Sequence, residues 1–377
     1  MERNRFFPEI RGRFGFGCMR LPLIGEEVDQ QQFEQMADRF LEQGFNYFDT
    51  AHGYLGGRSE TALREGLVRR HPRSSFLLTD KLTGNYFERE EDIRPFFRQQ
   101  LEACGVDYFD FYLMHAQSRG NYQHFRDCRA YETAFALKAE GKIRHVGISF
   151  HDSPEMLERI LRDYPELELV QIQFNYLDFE NPRVQSRAVY EVLERHQKPV
   201  MIMEPVKGGT LAQLPQAAQA VLNGLGEDCS SAGYALRFAA SFPQVCVVLS
   251  GMSTREQMED NCSIMKDLRP LDRREMDAVA DVRRIYMEHK SVPCTGCRYC
   301  VEGCPRQIPI PDLFHTLNTR NIFGAWGQTE RYLELTREKG KASDCIRCGQ
   351  CERICPQQLP VRKLLEDVAK AFEKEEE

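Results

Sequence analysis

No stretch of this 377-residue chain approaches the roughly 20 consecutive apolar residues that a membrane-spanning helix requires, which argues against a membrane protein. The opening Met1-Glu-Arg-Asn-Arg5 has no apolar core of signal-peptide length behind it. Charge of one sign is not in excess either: the net charge is −7, with acidic and basic residues mixed along the chain, so no basic stripe marks a nucleic-acid partner. A Gly-x-Gly-x-x-Gly turn, the fingerprint of an open dinucleotide-binding sheet, is also missing. Together these absences predict a cytoplasmic protein that binds neither membrane nor nucleic acid. The acidic residues 375–377 read as a fraying, solvated helix tail.

What is present is alternation. Residues 1–13 read as a polar lead-in or short hairpin, and Phe14-Gly-Phe-Gly-Cys-Met-Arg-Leu-Pro22 as a first strand whose glycines allow close approach. Apolar residues Phe33, Met36, Ala37, Phe40 and Leu41 then repeat at helical spacing within 28–43. Strands are predicted at 47–49, 76–81, 109–114, 145–149, 169–174, 200–204 and 245–249. Helices fall at 59–69, 88–104, 128–140, 153–162, 184–195, 231–240 and 255–267. Eight strand–helix units over about 270 residues favour a closed (β/α)8 barrel of the TIM type, residues 1–285, over an open sheet.

In such a barrel the chemistry sits at the C-terminal ends of the strands. Three successive ends offer Asp49, in Tyr47-Phe-Asp-Thr-Ala-His-Gly-Tyr54, then Lys81, in Phe76-Leu-Leu-Thr-Asp-Lys, and His115, in Phe109-Asp-Phe-Tyr-Leu-Met-His. The loop after the first of them carries Tyr54. A tyrosine hydroxyl, with an ordinary pKa near 10, exchanges protons poorly at neutral pH unless tuned. A lysine beside it would lower that value and an aspartate would hold the lysine, while the histidine could orient a substrate oxygen. The set suits protonation of a carbonyl oxygen while hydride arrives at its carbon.

These motifs resemble the aldo-keto reductases, whose tetrad is an Asp, a Tyr in the following loop, a Lys and a His at successive strand ends. The resemblance covers roughly residues 14–270 and implies catalytic roles for Asp49, Tyr54, Lys81 and His115. It further implies a nicotinamide cofactor across the barrel mouth. Ser149, in Gly147-Ile-Ser149, and Gln171, in Val-Gln-Ile-Gln-Phe-Asn175, would take the carboxamide. Ser250, Gly251, Ser253, Arg255, Gln257 and Asn261 would form the adenine end, where a helix N-terminus binds phosphate. Three features depart from the family pattern. Phe150 stands where the family has Asn, Met203 replaces the aromatic residue that stacks on the nicotinamide, and Met252 leaves the adenine loop without its basic residue. Arg255 is then the candidate for a ribose 2'-phosphate, and NADPH against NADH stays open. Lys207 with Gly208 and Gly209 reads either as a pyrophosphate cradle or as a solvated turn.

Of fourteen cysteines, eight fall in two runs, Cys294-x-x-Cys297-x-x-Cys300-x-x-x-Cys304-Pro and Cys345-x-x-Cys348-x-x-Cys351-x-x-x-Cys355-Pro. This is the bacterial ferredoxin spacing, in which three thiolates of a run hold one cube and the fourth serves the other. One 4Fe-4S cluster is assigned to Cys294, Cys297, Cys300 and Cys355, the other to Cys345, Cys348, Cys351 and Cys304. Zinc needs only cysteine pairs and explains a doubled run of four poorly. Helical stretches at 310–318 and 329–339 resemble the helical ferredoxin-like modules attached to oxidoreductases, here residues 286–377. The isolated Cys18, Cys104, Cys128, Cys229, Cys246 and Cys262 read as small buried hydrophobes.

The expectation is an oxidoreductase interconverting a small-molecule carbonyl and alcohol with NAD(P)H and carrying two 4Fe-4S clusters for electron transfer. Hydride moves two electrons and each cluster accepts one, so two alternatives stand beside it. One is an electron-transfer enzyme with a flavin at the barrel mouth and a redox partner protein; the other is an ordinary reductase whose iron–sulfur module only docks or supports. Substrate specificity is expected in loops such as 116–126.

Overall fold

The computed structural model describes residues 3–289, 291–324 and 326–373, so the acidic tail at 375–377 lies outside the described residues. Eight parallel strands close into a barrel: β1 (Phe14–Gly17), β2 (Tyr47–Asp49), β3 (Leu77–Leu82), β4 (Phe109–Gln117), β5 (Ile143–Phe150), β6 (Leu169–Gln173), β7 (Val200–Met203) and β8 (Val245–Gly251). Sequential strands are neighbours, and β1 closes the ring between β8 and β2. Six of the eight strands end within two residues of their expected positions. β1 stops at Gly17, where the chain turns into the short helix Cys18–Arg20, instead of at Pro22, and β4 runs three residues further, to Gln117. The pattern of apolar runs separated by amphipathic helices is strong enough to define both strands and helices.

Helix termini follow local chemistry. Asp29 caps Gln30–Glu42 by accepting from Gln32 N, and Gly105 takes a left-handed φ of 71° to end Glu90–Cys104. The lead-in is the expected hairpin in its minimal form, a single antiparallel bridge between Arg3 and Arg11. It seals the bottom of the barrel: Phe7 and Ile10 join the buried cluster of Tyr47, Leu77, Phe111, Leu169 and Met201.

The chain divides into two compact units, residues 1–205 with 232–271, and residues 206–231 with 272–377. The second is larger than the segment expected from 286 onward, because 206–231 and 272–285 belong to it. Helix Arg273–Glu288 is held to the segment around Gln216–Asn223, with Arg274 Nη2 donating to Gly224 O at 3.0 Å, and Gly208 lies against the Thr295 backbone. Within this unit two halves repeat. The cysteine-run helices Tyr299–Glu302 and Gln350–Arg353 correspond, as do Ile310–Phe323 and Val361–Phe372. Positive φ recurs at matching positions, 68° at Gly296 and 59° at Arg347, 66° at Arg298 and 75° at Gly349, 52° at Gln307 and 50° at Gln358. Ile308, Leu313, Phe314, Leu359, Val361 and Leu365 form the core between the halves. Among the described residues no helix is long and apolar enough to cross a membrane.

Asn4 is the polar pin of the barrel floor. Its Nδ2 donates to Cys246 O at 2.7 Å and Gly12 O at 3.2 Å, and its Oδ1 accepts from Phe6 N and Phe7 N. Replacing it by Ala leaves these buried backbone groups unpaired. With each net hydrogen bond contributing about 1 kcal/mol, Asn4→Ala should lower the barrel's stability by roughly 2–3 kcal/mol, read as an earlier denaturant midpoint; an unchanged midpoint would remove the pin.

Candidate active site and cluster-binding segment

Asp49 ends β2, Lys81 lies near the end of β3, and His115 lies in the last turn of β4. Asp49 and Thr79 are register partners, so Lys81, two residues beyond Thr79, points inward from the same face, one pleat nearer the mouth. Lys81 has no exposed surface. Its Nζ donates to Asp49 Oδ1 at 2.7 Å, to the Thr50 carbonyl at 2.6 Å and to the Tyr54 hydroxyl at 3.3 Å. Tyr54 opens a short helical turn, Tyr54–Gly57, in which Leu55 and Gly56 have positive φ, and it is half-buried. The Tyr54 and His115 rings meet edge to face, 6.1 Å between centroids. The structure thus brings together all four residues expected from the strand ends.

The electrostatics differ from expectation at Tyr54. Burial, and next the Asp49 carboxylate, push its hydroxyl well above the ordinary tyrosine value rather than below it. Lys81 does not offset this because its charge is already committed to Asp49. His115 is pushed the other way: burial, then Lys81 and His151, hold it well below the usual histidine range, so the ring is neutral at neutral pH. Its Nδ1 is 2.7 Å from the Thr83 hydroxyl. Thr83, two residues past Lys81, was not singled out from the sequence, although its position just beyond the same strand is the signal that could have found it.

Ser149 and Gln171 are register partners on β5 and β6, both buried. Gln171 Nε2 donates to Asp49 Oδ2 at 3.0 Å, which ties this pair to the tetrad. At the far end of the site, Asn261 Nδ2 donates to Ser250 Oγ at 3.0 Å and Ser253 Oγ to Arg20 O at 2.9 Å. Gln257 Oε1 accepts from Ser253 N at 2.8 Å, and Arg255 Nε lies 3.0 Å from Glu259 with its side chain largely exposed. Thr254 caps helix Arg255–Lys266, and Gly251 approaches the Arg20 side chain closely. These residues share one rim. Lys207 does not fit the open cradle or the solvated turn expected of it: it is buried, its Nζ 3.3 Å from Gln357 Oε1, and Gly208 backs onto Thr295. Gly209 remains open.

Behind the tetrad lies a buried acid pair that the sequence did not reveal. Glu60 Oε2 is 2.7 Å from His52 Nδ1, Asp80 Oδ1 accepts from Lys81 N at 2.7 Å, and the two carboxyls approach each other and Cys104. Burial pushes Glu60 up to about 7, while burial and the neighbouring Glu60 charge hold Asp80 well above the carboxylate range. The pair therefore keeps a proton at neutral pH.

The eight cysteines of the two runs are free thiols, and they converge as two groups. Cys294, Cys297, Cys300 and Cys355 line one small cavity; Cys304, Cys345, Cys348 and Cys351 line another. Burial raises Cys300, and its next contributors are Cys297, Cys294 and Cys355, the mutual repulsion expected of thiolates gathered around one point. This crossed grouping fits four-thiolate cubes. Of the isolated cysteines five are buried, whereas Cys229 is partly exposed.

Comparison with known proteins agrees with this arrangement. The profile of the aldo/keto reductase family matches residues 13–284, and that of the 4Fe-4S dicluster domain residues 293–359. The chain therefore belongs to the aldo/keto reductase family. It is an oxidoreductase enzyme with a C-terminal 4Fe-4S domain. A Bacillus subtilis protein described as uncharacterized oxidoreductase YqkF is 24% identical over 310 residues, 74% of this chain and 95% of its own. The Escherichia coli NADH-specific methylglyoxal reductase is 28% identical over 190 residues, 44% of this chain and 56% of its own. Among solved structures, aldo-keto reductase AKR11C1 from Bacillus halodurans, in a holo form, matches with a TM-score of 0.60 at 24% identity, over 72% of this chain and 92% of its own. An aldo-keto reductase from Klebsiella pneumoniae in complex with NADPH matches with a TM-score of 0.58 at 22% identity, over 73% and 90%. At these identities the structural likeness speaks to the fold.

The acid pair makes stability depend on pH. Glu60 holds its proton more tightly folded than unfolded, so its contribution is full below about 4.5 and is lost as the pH rises through about 7. Glu60→Gln should therefore flatten the decline in unfolding midpoint between about pH 5 and about pH 8. A variant whose midpoint falls as steeply as that of the parent protein would show that the pair does not share a proton.

Proposed function

We propose that this enzyme reduces a small-molecule carbonyl to an alcohol, with Tyr54 as the general acid. The observation that carries the reading is Lys81 Nζ, which holds Asp49, the Thr50 carbonyl and the Tyr54 hydroxyl at once. Ser149, Gln171 and the rim of Ser250, Gly251, Ser253, Arg255, Gln257 and Asn261 would hold a nicotinamide, which would supply the hydride. Tyr54, kept protonated by burial and by Asp49, donates its proton to the carbonyl oxygen as negative charge grows there. Lys81 then stabilises the phenolate left behind, at a distance already suited to it. His115 stays neutral; a Thr83 hydroxyl donating to its Nδ1 leaves the proton on Nε2, which orients the substrate oxygen by donating to it. Cys294, Cys297, Cys300 and Cys355 would hold one 4Fe-4S cluster and Cys345, Cys348, Cys351 and Cys304 a second, which would supply one-electron transfer with a partner protein.

Tyr54→Phe should lower the carbonyl-reduction kcat by about 10²–10⁴-fold while leaving cofactor affinity near that of the parent; full activity in this variant would overturn the tetrad assignment. Because Tyr54 is held above its ordinary value and His115 below its own, reduction should show no descending limb below about pH 10 from the tyrosine.

The ligand crossing is tested by pairs. Protein purified without oxygen should carry about eight irons. Cys297→Ser with Cys355→Ser should retain one intact cube of about four irons, whereas Cys297→Ser with Cys304→Ser should damage both. The reverse pattern would mean that each run serves its own cluster.

A further inference from the structure

Lys207 is a buried cation that neither the tetrad nor the cofactor rim uses. It is 1% exposed, and its Nζ lies 3.3 Å from Gln357 Oε1. Gln357 follows Cys355-Pro356, and both Gln357 and Thr295 line the cavity gathered by Cys294, Cys297, Cys300 and Cys355. The neighbouring Gly208 presses on the same cavity wall from the other side. A Cβ there would stand 2.2 Å from Thr295 O and 2.8 Å from its carbonyl carbon, so only glycine permits the approach. The backbone is bent to achieve this: Lys207 has a φ of 48°, a left-handed conformation that L residues avoid, followed by 62° at Gly208 and 96° at Gly209. Burial of a lysine side chain and a run of left-handed backbone are both unfavourable, and both occur where the chain passes the ligand loops 294–297 and 355–357.

We propose that Lys207 is an electrostatic positioning residue that raises the reduction potential of the cluster at Cys294, Cys297, Cys300 and Cys355. The inference rests on the two-cluster reading. A cube held by four thiolates is anionic and gains a further negative charge with each electron, so a nearby cation favours the reduced form. The halves of the domain match in their turns and helices, and each cavity has its own cations, Lys207 behind the Gln357 that lines the first, Arg306 and Arg362 beside the second. Exposure acts the other way, since water favours the more highly charged reduced form, and Lys207 offsets the deeper burial of its cluster. Cys348, a ligand of the second group, is exposed, whereas the cysteines of the first group are only partly so. In the reduction that Lys207 would favour, a one-electron donor would pass its electron to the cluster beside that lysine. No proton or bond is exchanged in the step: the donor is oxidised by one electron and the cluster reduced by one.

The test is a potentiometric titration with dithionite, followed by electron paramagnetic resonance, on the full-length protein with its clusters loaded. The parent should show two midpoints; a single cluster's worth of signal would overturn the two-cluster reading itself rather than the role of Lys207. In Lys207→Gln one midpoint should fall, by about tenfold in the reduction equilibrium or about 59 mV for one electron, while the other stays in place. Lys207→Arg should restore most of the shift. Two unchanged midpoints in an iron-replete Lys207→Gln protein would overturn the proposal. Should that variant fail to hold its irons, the decision passes to the neighbour. Gln357→Glu sets a carboxylate against the same Nζ and should lower the same midpoint, whereas Gln357→Leu, which leaves the cation in place, should not. Equal midpoints in the Glu and Leu variants would overturn it too.

Discussion

A lysine without solvent exposure inside a barrel is the constraint on which the active site depends. Removing an ammonium from water costs several kcal/mol, and only close, well-aligned partners offset that. Lys81 finds them in Asp49 and in the Thr50 carbonyl, and Asp49 in turn is satisfied on its second oxygen by Gln171. These bonds leave Nζ little freedom, so the Tyr54 hydroxyl that lies 3.3 Å away is positioned as a consequence of satisfying the charge. Burial first, and then the Asp49 carboxylate, keep Tyr54 protonated. The pair that places the tyrosine hydroxyl thus also helps keep its proton on it.

The second unit meets its own constraint through repetition. Two cysteine runs, each followed by a turn and a helix, adopt the same sequence of left-handed residues, and their apolar faces meet in one core. Cys355 lines the cavity of the first run and Cys304 that of the second, so each cavity depends on both halves. The unit also includes residues 206–231 and 272–285, distant in sequence from the cysteines.

Much of this was legible beforehand because its signals are local. Strands and helices follow from apolar periodicity, which each segment carries within itself. The meeting of Asp49, Lys81 and His115 could be read because barrel topology puts every strand end on one rim, and the two groups of thiols because a closely spaced cysteine run brings its members together. Thr83, the Glu60–Asp80 pair and the burial of Lys207 were not legible. Each depends on a partner 20 to 150 residues away, and nothing in a single threonine, glutamate or lysine distinguishes a buried partner from a solvated one.

The sequence by itself determined the order of elements, the closure of eight strand–helix units, the residue types at the mouth and the two sets of thiols. Only the tertiary structure decided the state of those residues. Tyr54 was expected to be lowered by Lys81 and is raised instead, because burial and the carboxylate that neutralises the lysine act on it together. Lys207 was expected at a solvent-facing turn or a phosphate cradle and is enclosed beside a cluster cavity. Spacing along a chain can place a charged group on an element. How strongly that charge acts depends on how much water surrounds it and which groups face it, and both are properties of the folded packing alone.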